Sequence, residues 1–179
     1  MYRLREWAPE DADRLTGAFE DRDLARQTTV VPRTRALALE WIAQCRDRAG
    51  SGRAFAFAVV EADGPVLGHV EITVTDPRHD TGWVSYWTHP AERGRGVASA
   101  GARLAADHAF GALALHRLEL AHRINNPGSC VVARRAGFRP EGVQRARLRY
   151  GAERFDVGAH ARLATDPVGG VDPRPCGGQ

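Results

Sequence analysis

Arg93-Gly94-Arg95-Gly96-Val97-Ala98-Ser99 is the stretch of this chain whose residue types most plainly suit a chemical task. Two glycines remove side chains where a bulky anion would approach, and two arginines add charge beside them. The residues that follow, Val97, Gly101 and Leu104 with Ala98, Ala105 and Ala109, recur at helical spacing. The residues before, Trp83 to His89, are rich in aromatic and β-branched types, which suits a strand. Pro90 cannot donate to a ladder, so the strand ends there. Strand, glycine turn and helix start, in that order, leave the backbone N–H groups of Val97, Ala98 and Ser99 unpaired at the positive end of a helix dipole. Physically this is a cradle for a pyrophosphate.

Two common pyrophosphate sites fit poorly. The lysine-plus-hydroxyl ending of a P-loop is missing. A dinucleotide fingerprint can be written as Gly94-x-Gly96-x-x-Ser99, with Glu119 twenty residues beyond Ser99. That fingerprint puts its first glycine almost directly after a buried apolar strand. Here Pro90 to Arg93 intervene, and the strand carries Ser85, Thr88 and His89.

Arg93-x-x-Gly96-x-Ala98, after an aromatic strand ending in His89-Pro90, resembles the acyl-CoA signature of the GCN5-related N-acetyltransferases. Downstream, Asn126-Pro-Gly-Ser129, Ala136-Gly137-Phe138, Glu141-Gly142 and Asp156 resemble the RimJ/RimL-type branch, and the similarity runs from about residue 2 to 164. The resemblance implies an α+β GNAT fold, acetyl-CoA as acyl-donor cosubstrate, and no metal. It also implies roles for residues. Trp87, Thr88 and His89 offer main-chain groups to the pantetheine arm, and the N–H of His89 or a close neighbour polarises the thioester carbonyl. Asn126 bonds the arm, and Ser129 sits by the sulfur as proton donor to the departing thiolate. Helix capping, with Asn126 at the N-cap and Pro127 at N1, accounts for the same residues structurally.

Acetyl transfer to an amine also needs the amine to lose its proton. Glu71, His89 and Glu119 are the available bases. Glu119 pairs more naturally with Arg117 or Arg134, which leaves Glu71 ahead of His89. An α-amine, with a pKa of about 8, needs little help at neutral pH, whereas a lysine amine near 10.4 needs more. The weak base signal therefore tilts the acceptor toward α-amines or small amines of low pKa. The other histidines show no ligand spacing, and Cys45, Cys130 and Cys176 read as reduced structural thiols.

The elements that position these residues follow from pattern. Residues 2–7 alternate as a strand, and Pro9 opens a helix. Asp21–Arg26 suits a short helix, and Thr34 caps a longer one in which Leu37, Trp41 and Cys45 align. Ala54–Glu61 and Val66–Thr75 are strands joined at Asp63-Gly64, with His69, Glu71 and Thr73 on one face of the second. Leu115–Ile124 is a strand, Asn126 to Arg135 a helix closed by Gly137, and the last hairpin turns about Gly151. The result is an α+β domain around a mixed, mostly antiparallel sheet with helices on both faces. We assign residues 1–165 to this single domain and 166–179 to a Pro/Gly-rich, flexible tail.

Composition narrows the class further. The chain has 179 residues, 43% of them hydrophobic and 26% charged, with a net charge of +3 and a pI near 9.1, as a globular protein would. All 25 positive side chains are arginine. They are scattered rather than interleaved with aromatics, which argues against nucleic acid as a partner. No apolar run reaches membrane-span length, and the first residues lack an apolar leader, so the expected location is the cytoplasm. The reading is an acetyl-CoA-dependent N-acetyltransferase working by direct attack in a ternary complex, on a peptide N-terminus or a small-molecule amine. A homodimer is compatible with it. The rival is a non-catalytic acyl-CoA-binding sensor or interaction domain.

Overall fold

The computed structural model describes residues 1–28 and 30–167; the tail assigned from residue 166 therefore lies, beyond Pro167, outside the described residues. Strand β1 (Tyr2–Glu6) leads through a 3-10 turn at Pro9–Asp11 into helices α1 (Ala12–Ala18), α2 (Arg22–Ala25) and α3 (Arg35–Gly50). Strands β2 (Ala54–Glu61), β3 (Val66–Asp76) and β4 (Thr81–Thr88) follow as a meander. After a second 3-10 turn at Pro90–Glu92 come helix α4 (Val97–Gly111), β5 (Arg117–Arg123), α5 (Pro127–Arg135) and the hairpin β6 (Arg139–Tyr150) and β7 (Glu153–Leu163). This is the element order read from pattern, with shifts of a few residues at the ends.

The seven strands form one sheet in the order β1-β2-β3-β4-β5-β7-β6. Every pairing is antiparallel except β4 with β5, which run parallel over Thr81↔Arg117, Gly82↔Leu118 and Trp83↔Glu119 only. Beyond Trp83 the two central strands part. That gap is where the fold makes room for a ligand.

Period-two alternation sorts the core onto the two faces. Val70, Ile72, Val84, Leu118 and Leu120 are buried against α4 and α5 with Phe138. On the other face, Ala56, Ala58 and Val60 meet Leu15, Ile42 and Trp7 beneath α1 and α3. A fully buried Leu or Ile of this kind contributes about 1.5–3 kcal/mol. Helix α4 lies so close to the sheet that a Cβ at Gly101 would sit 2.8 Å from a methyl of Val59. Thr34 and Asn126 are the caps the sequence suggested, and Asp21 joins them. Asp21 and Thr34 accept from the amides of Leu24 and Leu37, and Asn126 Oδ1 accepts from the Ser129 amide at 3.1 Å. Gly137 takes the left-handed φ of 87° that ends α5.

Candidate active site

The glycine turn is built as its composition demanded. Gly94 and Gly96 adopt φ of 80° and 81°, a region that costs any other L-residue strain. Gly96 is the N-cap of α4 and offers no side chain to the first-turn amides, and that turn carries no acidic residue. The amides of Val97, Ala98 and Ser99 therefore stand at a bare helix N-terminus. Val97 itself is buried in the core and roots the turn. Such a site fits a pyrophosphate.

Arg93 and Arg95 do not extend freely around it. Arg93 pairs with Asp21 at 3.0 Å, and Arg95 pairs with Glu92 and with Glu61. The Leu24 amide and Arg93 hold the Asp21 carboxyl below the usual carboxylate range. Glu92 also receives Arg14 from α1 at 2.7 Å. The Tyr2 phenol donates to the Arg95 carbonyl at 2.9 Å, so β1 braces the turn from below. No motif in the sequence marks Tyr2 or Arg14 for this task; both come to the turn through the fold.

The gap between β4 and β5 opens into a cavity of about 550 Å³. Trp83, Ser85 and Trp87 reach it from one face of β4 and Tyr86 from the other, with Asn126 and Ser129 of the α5 start across from them. The amide of His89 donates to the Leu67 carbonyl at 2.9 Å, so its main chain faces β3. Successive residues of a strand turn their main-chain groups to opposite sides, which sends Trp87 the same way and turns Tyr86 and Thr88 toward the gap. Of the donors expected, His89 or a close neighbour, the His89 amide is engaged with β3, and the neighbouring amides of Tyr86 and Thr88 are the ones on the open edge. The Tyr86 phenol, its pKa raised by burial, donates to the Ser129 carbonyl at 3.3 Å.

The proposed bases fare differently from one another. Glu71 lines the cavity, but Arg48 of α3 holds both its oxygens, at 3.0 and 2.7 Å, and Thr73 donates to one of them. To take a proton, Glu71 would have to leave that pair. His89 lies outside the cavity lining. Its Nδ1 accepts from the Ala91 amide and caps the 3-10 turn, and burial followed by nearby Arg14 lowers its pKa. In this geometry His89 serves as a cap and does not line the cavity. Glu119 pairs with Arg117 at 2.8 Å, the structural role expected of it.

Two histidines, His69 and His122, lie in the cavity wall, and neither was given a task from the sequence. His69 accepts the Trp7 indole N–H at Nδ1 (3.2 Å) and stacks on Trp87 at 5.6 Å and 24°. Burial lowers its pKa to about 4. It serves as a neutral spacer that sets the Trp87 ring.

The histidines, expected to lie apart, also meet elsewhere. His122, Cys130 and His160 bring their ligand atoms within 4.8 Å of one another. Cys130 is disulfide-bonded, which corrects the reading of it as a reduced thiol and occupies its sulfur. His122 Nδ1 lies 2.9 Å from the Arg123 carbonyl and must carry the proton there. Its Nε2 then accepts from His160 Nε2, at 3.1 Å. Cys45 is free, and burial pushes its thiol up to about 11. Among the described residues no thiolate nucleophile faces the cavity, and no helix is long and apolar enough to cross a membrane.

A family model for the acetyltransferase (GNAT) domain matches residues 2–139. The chain belongs to the GNAT acetyltransferase family. Its open sheet with a parted central pair is the fold of that family. RimJ of Mycobacterium smegmatis, solved with CoA-disulfide, is 28% identical with a TM-score of 0.78, over 91% of this chain and 82% of that one. The ribosomal-protein-S5-alanine acetyltransferase of Vibrio fischeri reaches a TM-score of 0.81 at 22% identity, over 92% and 94%, a likeness of fold. The probable N-acetyltransferase YjcK of Bacillus subtilis strain 168 is 29% identical over 110 residues. That match spans 60% of this chain and 61% of the curated relative. Its likeness to YjcK is to a probable N-acetyltransferase and its likeness to RimJ is to a protein solved with CoA-disulfide, so acetyl-CoA is the cosubstrate that these similarities imply. The uncapped α4 start and the left-handed glycines fit the cosubstrate's pyrophosphate, and the free edge of β4 fits its amide-bearing arm.

Proposed function

We propose that this GNAT enzyme moves the acetyl group directly onto the α-amine of a peptide or protein N-terminus, inside the cell's cytoplasm. The observation that carries the proposal is the pairing of Glu71 with Arg48. Among the described residues Glu71 is the one carboxylate lining the cavity, and it is engaged. Of the two histidines there, His69, with a pKa of about 4, is too weakly basic to serve, and His122 is hydrogen-bonded at both ring nitrogens, to the Arg123 carbonyl and to His160. An α-amine, with its pKa of about 8, reaches the neutral form by giving its proton to water, whereas a lysine side chain would need a base the cavity does not free.

Each residue then has a task. The Tyr86 or Thr88 amide donates to the carbonyl oxygen as charge develops there. The amine nitrogen forms its bond to the carbonyl carbon, the carbon–sulfur bond breaks, and the Ser129 hydroxyl supplies a proton to the thiolate. The α5 dipole supports charge at the same spot. The likeness of fold to the ribosomal-protein-S5-alanine acetyltransferase supports a protein as acceptor.

The test is thiol release from acetyl-CoA with peptides of varied N-terminus and with small amines, followed by mass spectrometry of the product. Turnover of peptides that stops when the α-amine is blocked is the expected result. Turnover confined to small amines overturns the peptide reading. Acetyl-CoA binding with silence in both panels favours the sensor alternative.

A further inference from the structure

We infer that Arg123 is an anion anchor for the acceptor, so that this enzyme selects amines carrying a carboxylate close to the amino group. The inference rests on the N-acetyltransferase reading and names the acceptor's charge, which that reading leaves open.

Arg123 is the last residue of β5 and lines the same cavity as Ser129. Its guanidinium carbon stands 5.2 Å from the ring centres of both Tyr150 and Phe155, at the tip of the last hairpin. Those rings pack edge to face at 5.7 Å, so the guanidinium is held by two aromatic faces. Aromatic packing of this kind fixes a guanidinium without using its N–H donors. Among the described residues Arg123 has no carboxylate within salt-bridge distance and makes no side-chain hydrogen bond.

Charge balance points the same way. Among the described residues of the wall, Arg48 and Glu71 cancel each other, His69 is neutral, His122 is tied to the Arg123 carbonyl and to His160, and Arg123 is left as the arginine without a carboxylate partner. An acceptor amine is itself a cation until it loses its proton. A polyamine or an aminoglycoside would bring further cations into a cavity that already holds one. An acceptor with a carboxylate neutralises Arg123 instead, and a planar fork with free donors accepts that group bidentately. The backbone carries the same residue into the reaction centre. The Arg123 carbonyl accepts from the Asn126 amide at 2.9 Å, in the turn that presents Ser129. An anion seated on Arg123 therefore lies within one turn of chain from the proton donor. The carboxylate can come from an acidic side chain near a peptide N-terminus or from a free amino acid.

The experiment uses pairs matched except for that charge. Ser-Glu-Ala-Ala-amide is set against Ser-Gln-Ala-Ala-amide for the peptide source, and tyrosine against tyramine for the free amino acid. In wild type, kcat/KM for the anionic member of at least one pair exceeds its partner by about tenfold, the scale of one charged hydrogen-bond pair. Arg123→Gln closes that gap to within about twofold, and Arg123→Lys restores part of it. The pair that shows the gap identifies the source. No gap in wild type, or an undiminished gap in Arg123→Gln, overturns the inference. Because Arg123 also ties the hairpin to β5, melting curves of both variants accompany the kinetics, and the wild-type preference stands without either variant. A second readout needs no turnover: binding of the N-acetylated forms of the same four compounds to the CoA-saturated protein, followed by tryptophan fluorescence from Trp41, Trp83 and Trp87. Charge-selective binding lost in Arg123→Gln, with no amine turned over, keeps the anchor and sinks the enzyme reading. Charge-blind binding with brisk turnover does the reverse.

Discussion

The phenol of Tyr86 donates to the main-chain carbonyl of Ser129 at 3.3 Å, across the gap that separates β4 from the start of α5. One hydrogen bond thus ties the open edge of β4 to the residue proposed as proton donor to the thiolate. Tyr86→Phe removes a single partly buried neutral bond and costs about 1 kcal/mol of stability. Ser129→Ala leaves the fold intact and lowers kcat by about 100-fold, at the low end of general-acid effects because a thiolate leaves readily. Steady-state kinetics beside thermal melts separate the two, and equal kcat losses in both variants would deny Ser129 its chemical role.

Glu71 and Arg48 give opposite forecasts under the two views of Glu71. If the pair is structural, Glu71→Gln and Arg48→Met each lower stability by about 1 kcal/mol, a modest figure because Arg48 is 37% exposed, and shift kcat by only a few-fold. If Glu71 were the base, Glu71→Gln would abolish turnover while Arg48→Met would raise it by freeing the carboxylate. We expect the first pattern, read from the two kcat values and a urea midpoint for each variant.

His69 imposes a pH dependence on stability. Its folded pKa, about 4, lies below the ordinary value of 6.5, so the unfolded chain takes up a proton that the native state refuses. Stability from this group is fully present above pH 6.5, is lost as pH falls toward 4, and levels off below, with a slope of about 1.4 kcal/mol per pH unit in between. His160, also lowered by burial and by His122, adds to the same slope. His69→Gln flattens it by roughly one proton, as measured by urea unfolding between pH 4.5 and 7. An unchanged slope would mean that His69 charges in the folded protein.

Gly96→Ala tests the turn. At φ 81° an alanine costs about 1–2 kcal/mol, although nothing within 4 Å would touch its Cβ. The strain relaxes by moving the amides of Val97 and Ala98, so KM for acetyl-CoA rises more than kcat falls. Ala98→Ser, which keeps the backbone, leaves KM within a few-fold.

Much of this molecule was legible before any coordinates. The strands were visible because their apolar residues alternate, and two helix starts because Thr34 and Asn126 stand where caps belong. The glycine turn was legible because backbone conformation there depends on residue type alone. What stayed hidden was pairing at a distance. Nothing in the spacing of Glu71 and Arg48, 23 residues apart, announces an ion pair, and Trp7 meets His69 across 62 residues. The same holds for His122 and His160, which share a bond only because β7 runs beside β5. The choice between the His89 amide and that of a close neighbour stayed open for a related reason. Which side of a strand a main-chain group faces is set by register with its neighbour, and register is a property of two strands together.

The short parallel contact between β4 and β5 has a consequence for the protein's life outside catalysis. A central strand left unpaired beyond Trp83 is an open edge inside the sheet, with amides and carbonyls that any extended chain could occupy. Acetyl-CoA laid along that edge, as proposed, would act as a removable strand that completes the sheet. Amide exchange at Tyr86 and Thr88 should then slow when the cosubstrate is present. The protein's resistance to strand-swapped aggregates would follow the supply of its own acyl donor, so that starving a cell of acetyl groups would weaken the enzyme's fold as well as empty its active site.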